Sequence, residues 1–406
     1  SRGLGDVYKR QTEYNFQGVM YFFRREKVQC RYQFSLRDAV DTALLQRALT
    51  AALASAPYYT QRLVQEKREM WLEPNTEPCL VYPGSTMRNI PEQTNGYLFC
   101  VSCEGDTVYF DWHHFLLDGH GVSPLLTSIL EQYCNLRYGT AFAVQQIVCD
   151  PPYDMQAMLA EYPPVEGGSD AIQRDVVQTY EGALRRTRVC LSKQSLVEKA
   201  LANNAKPVSA LMSLLCMAMR EYLGKEKIQY SYSSDTRDVA GVPHALYNCV
   251  CSFEHTVQLQ AHTRLADLVS DIDADIKRDL QPQSKRRRMT EQMGWVYKVD
   301  QQKAPLRIKQ RVFQMGEYIG GIISDFWLSY LGNPLMPATP ELAQYTTDFG
   351  VWVPPDGASV GVEAASLNGK IILCIHNKAP NPGLADILRK TFENEGVAVL
   401  EAEDLD

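Results

Sequence analysis

The sequence predicts a mixed α/β protein of layered architecture, and three observations carry that prediction. Short runs rich in aromatic and β-branched residues recur along the chain, at 97–103, 107–113, 229–233, 346–353 and 370–375. Apolar residues at helical spacing appear between them, at 44–53, 126–133, 208–222 and 265–280. The two kinds of element do not alternate strictly, which argues against a doubly wound sheet.

The elements can be justified in order. Residues 18–34 read as strand material around a charged turn at Arg24-Arg25-Glu26-Lys27. Asp41 can cap a helix whose Leu44, Leu45, Ala48, Leu49, Ala52 and Leu53 share one side, and Pro57 ends it. Residues 62–72 look like one strand, and 73–95, rich in Pro, Asn and Gly, like loop. A hairpin pairs 97–103 with 107–113 across Glu104-Gly105-Asp106. The next helix takes Ser123 as its cap and Pro124 as its first residue, and stops at Gly139. Residues 149–170, with four prolines and Gly167-Gly168, read as the crossover between halves. Beyond it the helix at 208–222 is apolar nearly all round and expected to be buried. Strands are expected at 229–233, 318–330, 346–353 and 370–375, and an amphipathic helix at 265–280.

Composition limits the function classes. At 406 residues, 45% hydrophobic and 22% charged, the chain can bury a real core and is expected to form two or three domains, or one unusually large one. The net charge of −7 argues against a nucleic-acid binder. No run approaches the roughly 20 apolar residues of a membrane helix, and no signal peptide is visible. The 11 cysteines are scattered and odd in number, and Cys100 and Cys103 form a lone CxxC inside an apolar strand, so thiols of a cytoplasmic protein are expected. Residues 1–11 (SRGLGDVYKRQ) have no hydrophobic period, resemble adaptor read-through, and are set aside as a non-native leader.

The densest chemical signal is His113-His114-Phe115-Leu116-Leu117-Asp118-Gly119, at a strand end leading into a helix. A neutral imidazole can take a proton from a hydroxyl or amine as it attacks an acyl carbonyl. In a strand, His114 shares a face with Phe110 and Trp112, apolar neighbours that keep it uncharged and would flank a substrate. Asp118, four residues on, cannot easily reach the same imidazole and is better suited to pairing with an arginine that holds the loop. Gly119 leaves room for a substrate arm against the backbone.

This segment resembles the HHxxxDG signature of the chloramphenicol-acetyltransferase-like acyltransferase superfamily, which includes alcohol acetyltransferases, plant acyltransferases and peptide-synthetase condensation domains. Asp235-Thr236-Arg237, then Pro243 and Tyr247-Asn248, is similar to the D-x-R…P…GN element of the plant enzymes, with Tyr247 in place of Gly. Asp348-Phe349-Gly350-Val351-Trp352 is similar to their DFGWG element, departing at its fourth and fifth positions. Residues 56–62 resemble most the Pro-containing version in alcohol acetyltransferases.

The resemblance implies two similar subdomains, at 12–165 and 166–406, forming a V with a central tunnel that reaches His114 from both mouths. It implies His114 as general base, an Asp118–Arg237 pair, and structural roles for His113, Asn248, Asp348 and Gly350. Ser329 falls where relatives carry a Ser/Thr strand facing the active centre, which leaves it either an oxyanion donor or a packing residue. The implied activity is acyl transfer from a thioester, most simply acyl-CoA as co-substrate with no bound cofactor or metal, to a small hydroxyl or amine acceptor. The expected enzyme is a monomer. The alternatives are a free-standing condensation enzyme taking carrier-protein thioesters, and a non-catalytic binding protein of the same fold. Lys285-Arg286-Arg287-Arg288 reads either as a solvated helix end or as a steering patch for a phosphate.

Overall fold

The computed structural model describes residues 16–24, 27–163, 183–320, 324–336, 338, 340–355 and 358–405. The expected leader at 1–11 lies outside them, as do 164–170 of the expected crossover.

Helix α1 (Phe16–Phe23) opens the described chain. The strand expectation for 18–23 is thereby corrected. Val19 and Phe23 are fully buried, and burial against two later helices outweighs the strand preference of Tyr21-Phe22-Phe23. Strand β1 (Gln29–Leu36) follows, buried at alternate positions, and then α2 (Thr42–Ala54), whose first turn Asp41 caps by accepting from Leu44 N at 3.0 Å. The single strand expected at 62–72 is instead a hairpin, β2 (Gln61–Gln65) and β3 (Met70–Pro74). The loop beyond it holds a short strand, β4 (Val81–Pro83).

Strands β5 (Phe99–Glu104) and β6 (Thr107–His113) form the expected hairpin with a tighter turn, because Glu104 pairs directly with Thr107 and Gly105 takes a φ of 59°. Helix α3 (Gly119–Tyr138) begins earlier than Ser123-Pro124 suggests: Asp118 is its cap, accepting from Gly121 N at 2.9 Å, and Pro124 lies inside the helix. Gly139 ends it at φ 69°. A short α4 (Met155–Glu161) lies in the expected crossover.

The second sheet begins with β7 (Arg185–Ser192), followed by α5 (Lys193–Ala202) and the buried α6 (Pro207–Leu223). Then come β8 (Lys227–Asp235), the single turn α7 (Arg237–Ala240), β9 (Val250–Gln258), α8 (Leu265–Asp279), α9 (Pro282–Asp300) and α10 (Leu306–Gly320). Residues 318–320 belong to α10, and β10 (Ser324–Gly332) starts later than the strand expected at 318–330. Strands β11 (Thr346–Trp352), β12 (Ala358–Leu367) and β13 (Lys370–Asn377), helix α11 (Leu384–Asn394) and β14 (Val399–Asp404) complete the fold.

One five-stranded sheet has the order β11-β1-β6-β5-β4 and a seven-stranded sheet the order β14-β7-β13-β12-β10-β8-β9. Each supports its own apolar core. Sheet membership does not follow chain position alone: β11 leaves the second half and pairs antiparallel with β1, Gly350 opposite Gln33. The Asp348-Phe349-Gly350 element is this exchanged strand.

The basic run fits neither of its two readings. Lys285 is 7% exposed and pairs with Asp238, while Arg288 pairs with Glu254 at 2.9 Å and donates to the Ser252 carbonyl. Arg286 lies over the Tyr162 ring, and Arg287 is exposed. Lys285 and Arg286 thus dock α9 on α7, and Arg288 docks it on β9.

Candidate active site

His114 follows the last residue of β6, and its backbone N–H donates to Val28 O at 2.9 Å. The chain then turns rather than continuing the strand. His113 Nδ1 accepts from Phe115 N at 3.1 Å, so the first histidine of the pair serves the turn, and burial holds it uncharged with a pKa lowered to about 4. Trp112 Nε1 donates to Leu117 O at 3.1 Å and Tyr58 Oη to Leu116 O at 2.8 Å. Trp112 is 1% exposed within the first core, which corrects its expected substrate contact: its indole braces the loop instead.

The His114 ring stacks on Tyr21, centroids 3.9 Å apart and planes inclined by 12°, and the Arg24 guanidinium lies over the same Tyr21 ring. Burial pushes the His114 pKa down to about 4; its own backbone carbonyl, Asp118 and Asn248 act against the shift, and Arg24 adds to it. At neutral pH the imidazole is therefore in its base form. Its carbonyl accepts from Asn248 Nδ2 at 2.5 Å, a link from the second half of the chain to the loop.

Asp118 and Arg237 meet as expected. Arg237 Nη2 lies 2.8 and 3.0 Å from the two carboxylate oxygens, and Asp118 also accepts from the backbone of Gly121 and Cys249. Burial alone would raise the Asp118 pKa, but the guanidinium and these N–H donors outweigh it and hold the carboxyl below its usual value. Arg237 spends its other donors on Asp235, the Ala245 carbonyl and the Tyr247 carbonyl. The result is a buried brace between the loop after β6 and the start of α7.

Gly119 lines the cavity beside this brace and is also closely packed. A Cβ there would lie 2.6 Å from both Leu331 Cδ2 and Tyr32 Oη. Gly121, which sequence reasoning passed over, is tighter still: its Cβ would stand 1.8 Å from the Leu246 carbonyl oxygen. Asp348 pairs with Arg188, and a Cβ at Gly350 would meet the Gln33 side chain at 2.9 Å, so both serve the exchanged strand.

A cavity of about 760 Å³ opens beside the brace, lined among others by Asp118, Gly119, Ser128, Arg237 and Ser329. His114 is not among its lining residues. Reach to the imidazole from both mouths, expected of a central tunnel, is thus not what this cavity provides, and the Tyr21 ring covers one face of the base. Ser329 does face the cavity, and beside it on β12 stands Glu363, a buried carboxyl absent from the sequence-based site. Its one signal was a lone acid within the apolar run 358–367. Tyr21 carried no separate signal, since it read as strand. His120 lines the cavity half-exposed, 3.6 Å from Asp235.

Among the described residues no group of three His, Cys, Asp or Glu side chains is placed to hold a metal, all cysteines are free thiols, and no helix is long and apolar enough to cross a membrane.

No protein-family model and no curated protein matches the sequence. Solved structures do match in shape. Polyketide synthase associated protein 5 from Mycobacterium tuberculosis superposes with a TM-score of 0.65 at 16% identity, over 94% of this chain and 97% of that one. F. sporotrichioides TRI101, solved with coenzyme A and T-2, gives 0.62 at 10% identity over 97% and 99%. The first condensation domain of the CDA synthetase gives 0.61 at 11% identity over 97% and 99%. At these identities the likeness is one of fold: this chain has the mixed α/β architecture of two similar subdomains found in condensation domains and chloramphenicol-acetyltransferase-like proteins.

Proposed function

We propose that this protein transfers an acyl group from a thioester to a hydroxyl or amine acceptor, with His114 as general base. The observation that carries the reading is His114 at the end of β6, on a loop that the Asp118–Arg237 pair locks and whose Asp118 and Gly119 line a cavity large enough for a small substrate. His114 removes the acceptor proton as the acceptor attacks the carbonyl, and returns it to the departing thiolate. The Ser329 hydroxyl donates to the carbonyl oxygen as it gains charge. Stacking on Tyr21 occupies one face of the ring and fixes its plane. Holding both reactants in one site supplies a large share of the rate, on the order of several kcal/mol.

Acyl-CoA is the simplest donor, and the coenzyme A in the TRI101 structure supports it. A carrier-protein thioester is the second reading, supported by the condensation-domain likeness. No bound cofactor or metal takes part. Because Asp118 and Arg237 come from opposite halves of one chain, a monomer completes its own site. A cytoplasmic enzyme is consistent with the free thiols.

The test is acceptor-dependent thiol release from a panel of acyl-CoAs with mixed alcohols and amines. The native chain should turn over, and His114→Ala should lose on the order of 100- to 10,000-fold. Equal release by both would remove His114 as base for these donors, and repeating the assay with carrier-bound thioesters would then decide for the second reading.

A further inference from the structure

Residues of β12 divide cleanly between the two sides of the second sheet. Val360, Val362 and Ala364 belong to the second core, whereas Ala365 and Leu367 pack in the first. By strand alternation Glu363 lies on the side turned toward the first sheet. Its antiparallel neighbour Cys374, on the same side, accepts through Sγ from Val351 N of β11, which places the carboxyl at the junction of the two subdomains.

Glu363 is 5% exposed, and its Oε2 is buried without a hydrogen-bond partner. Its parallel-strand partner is Ser329, whose hydroxyl is within hydrogen-bonding reach of the carboxyl and which also lines the cavity. From the first subdomain Cys30 and Tyr32 of β1 and Tyr21 of α1 lie close enough to feel a charge there. None of these is a cation, and among the described residues no cation is a cause of the carboxyl's shift. A buried carboxylate without a positive partner is costly, so the group resolves the cost by holding its proton.

We propose that Glu363 is a positioning residue: its O–H donates to Ser329 Oγ and so commits the Ser329 proton to the cavity, where it meets the developing oxyanion. This rests on the acyl-transfer reading. The two protonation states set opposite orientations. A carboxylate would accept the Ser329 proton and turn the hydroxyl's lone pairs toward the substrate oxygen, which would oppose the reaction. Burial raises the Glu363 pKa to about 8, with Ser329 acting against the shift, so the productive state exists below that value and disappears above it.

The experiment compares Glu363→Gln, Glu363→Leu, Ser329→Ala and the Ser329→Ala/Glu363→Leu double variant in the full chain. Gln keeps an N–H donor that does not titrate. It should hold kcat/KM within a few-fold of the native value at neutral pH and abolish the alkaline limb near pH 8. Leu should lose about 100- to 1,000-fold, as Ser329→Ala does, and the double variant should lose no more than either, since both act through one donor. Leu removes a buried carboxyl whose Oε2 has no partner and should melt no lower than the native chain, which separates the rate loss from misfolding. An unchanged alkaline limb in Glu363→Gln, or losses that multiply, would overturn the proposal. Infrared spectroscopy at neutral pH tests it without turnover. A protonated-carboxyl stretch should be present in the native chain and absent from Glu363→Gln, and a native chain lacking the band refutes the proposal whatever its activity. A band with no turnover on any thioester would instead sink the acyl-transfer reading, and the role given to Ser329 with it.

Discussion

Arg237 reaches across 119 positions of sequence to chelate both carboxylate oxygens of Asp118, and neither side chain is more than 5% exposed. The pair is the mechanical link between the loop that carries His114 and the second half of the chain. Breaking one side of it strands a buried charge.

Asp118→Ala should therefore destabilise the chain by about 3–5 kcal/mol, read as a lower urea midpoint, because Arg237 keeps its burial and loses its main counter-charge. Turnover should fall as well, through a loosened loop. A drop in rate with an unchanged urea midpoint would show that Asp118 acts on the imidazole directly.

Tyr21 keeps water from one face of His114. Tyr21→Ala should admit it and move the His114 pKa up from about 4 toward its ordinary 6.5, while Tyr21→Phe should leave the value nearly where it is. The sign for stability follows. A folded-state value below the unfolded one contributes stability that is complete above about 6.5 and lost as pH falls through about 4. Tyr21→Ala narrows that window. NMR titration of the imidazole, assigned by its absence in His114→Ala, measures the shift, and an unmoved value in Tyr21→Ala would assign the depression to other neighbours.

Gly121→Ala should be the more damaging of two glycine substitutions in the motif helix. Its Cβ would overlap a backbone carbonyl at 1.8 Å, which cannot rotate away, whereas at Gly119 the contacts are the ends of Leu331 and Tyr32 side chains. The expected cost is about 1–3 kcal/mol or more at Gly121 and less at Gly119, ranked by thermal melts. A reversed order would mean that the 119 contacts are the rigid ones.

Much of the site was legible in the sequence because it is local. His113 through Gly119 form one short link from β6 to α3, and the D-x-R element at 235–237 supplies the arginine that the aspartate requires. The helices at 42–54, 207–223 and 265–279 announced themselves by period and, for the first, by the Asp41 cap. What misled was context. Residues 18–23 are aromatic enough for a strand, yet they are helical because Val19 and Phe23 find a buried face there. The four basic residues at 285–288 look like a solvated run, yet Asp238 and Glu254, distant in sequence, draw Lys285 and Arg288 inward.

The sequence alone determined the fold class, the motif loop and the chemical type of its side chains, since these follow from period, turn residues and imidazole chemistry over short stretches. Tertiary structure alone decided the rest. It crossed β11 into the first sheet, stacked Tyr21 on His114, spent Trp112 on the loop and set the buried Glu363 beside Ser329. The physical reason is common to all four. Burial and pairing depend on which segments meet in space, and desolvation changes what a side chain does more than its identity does.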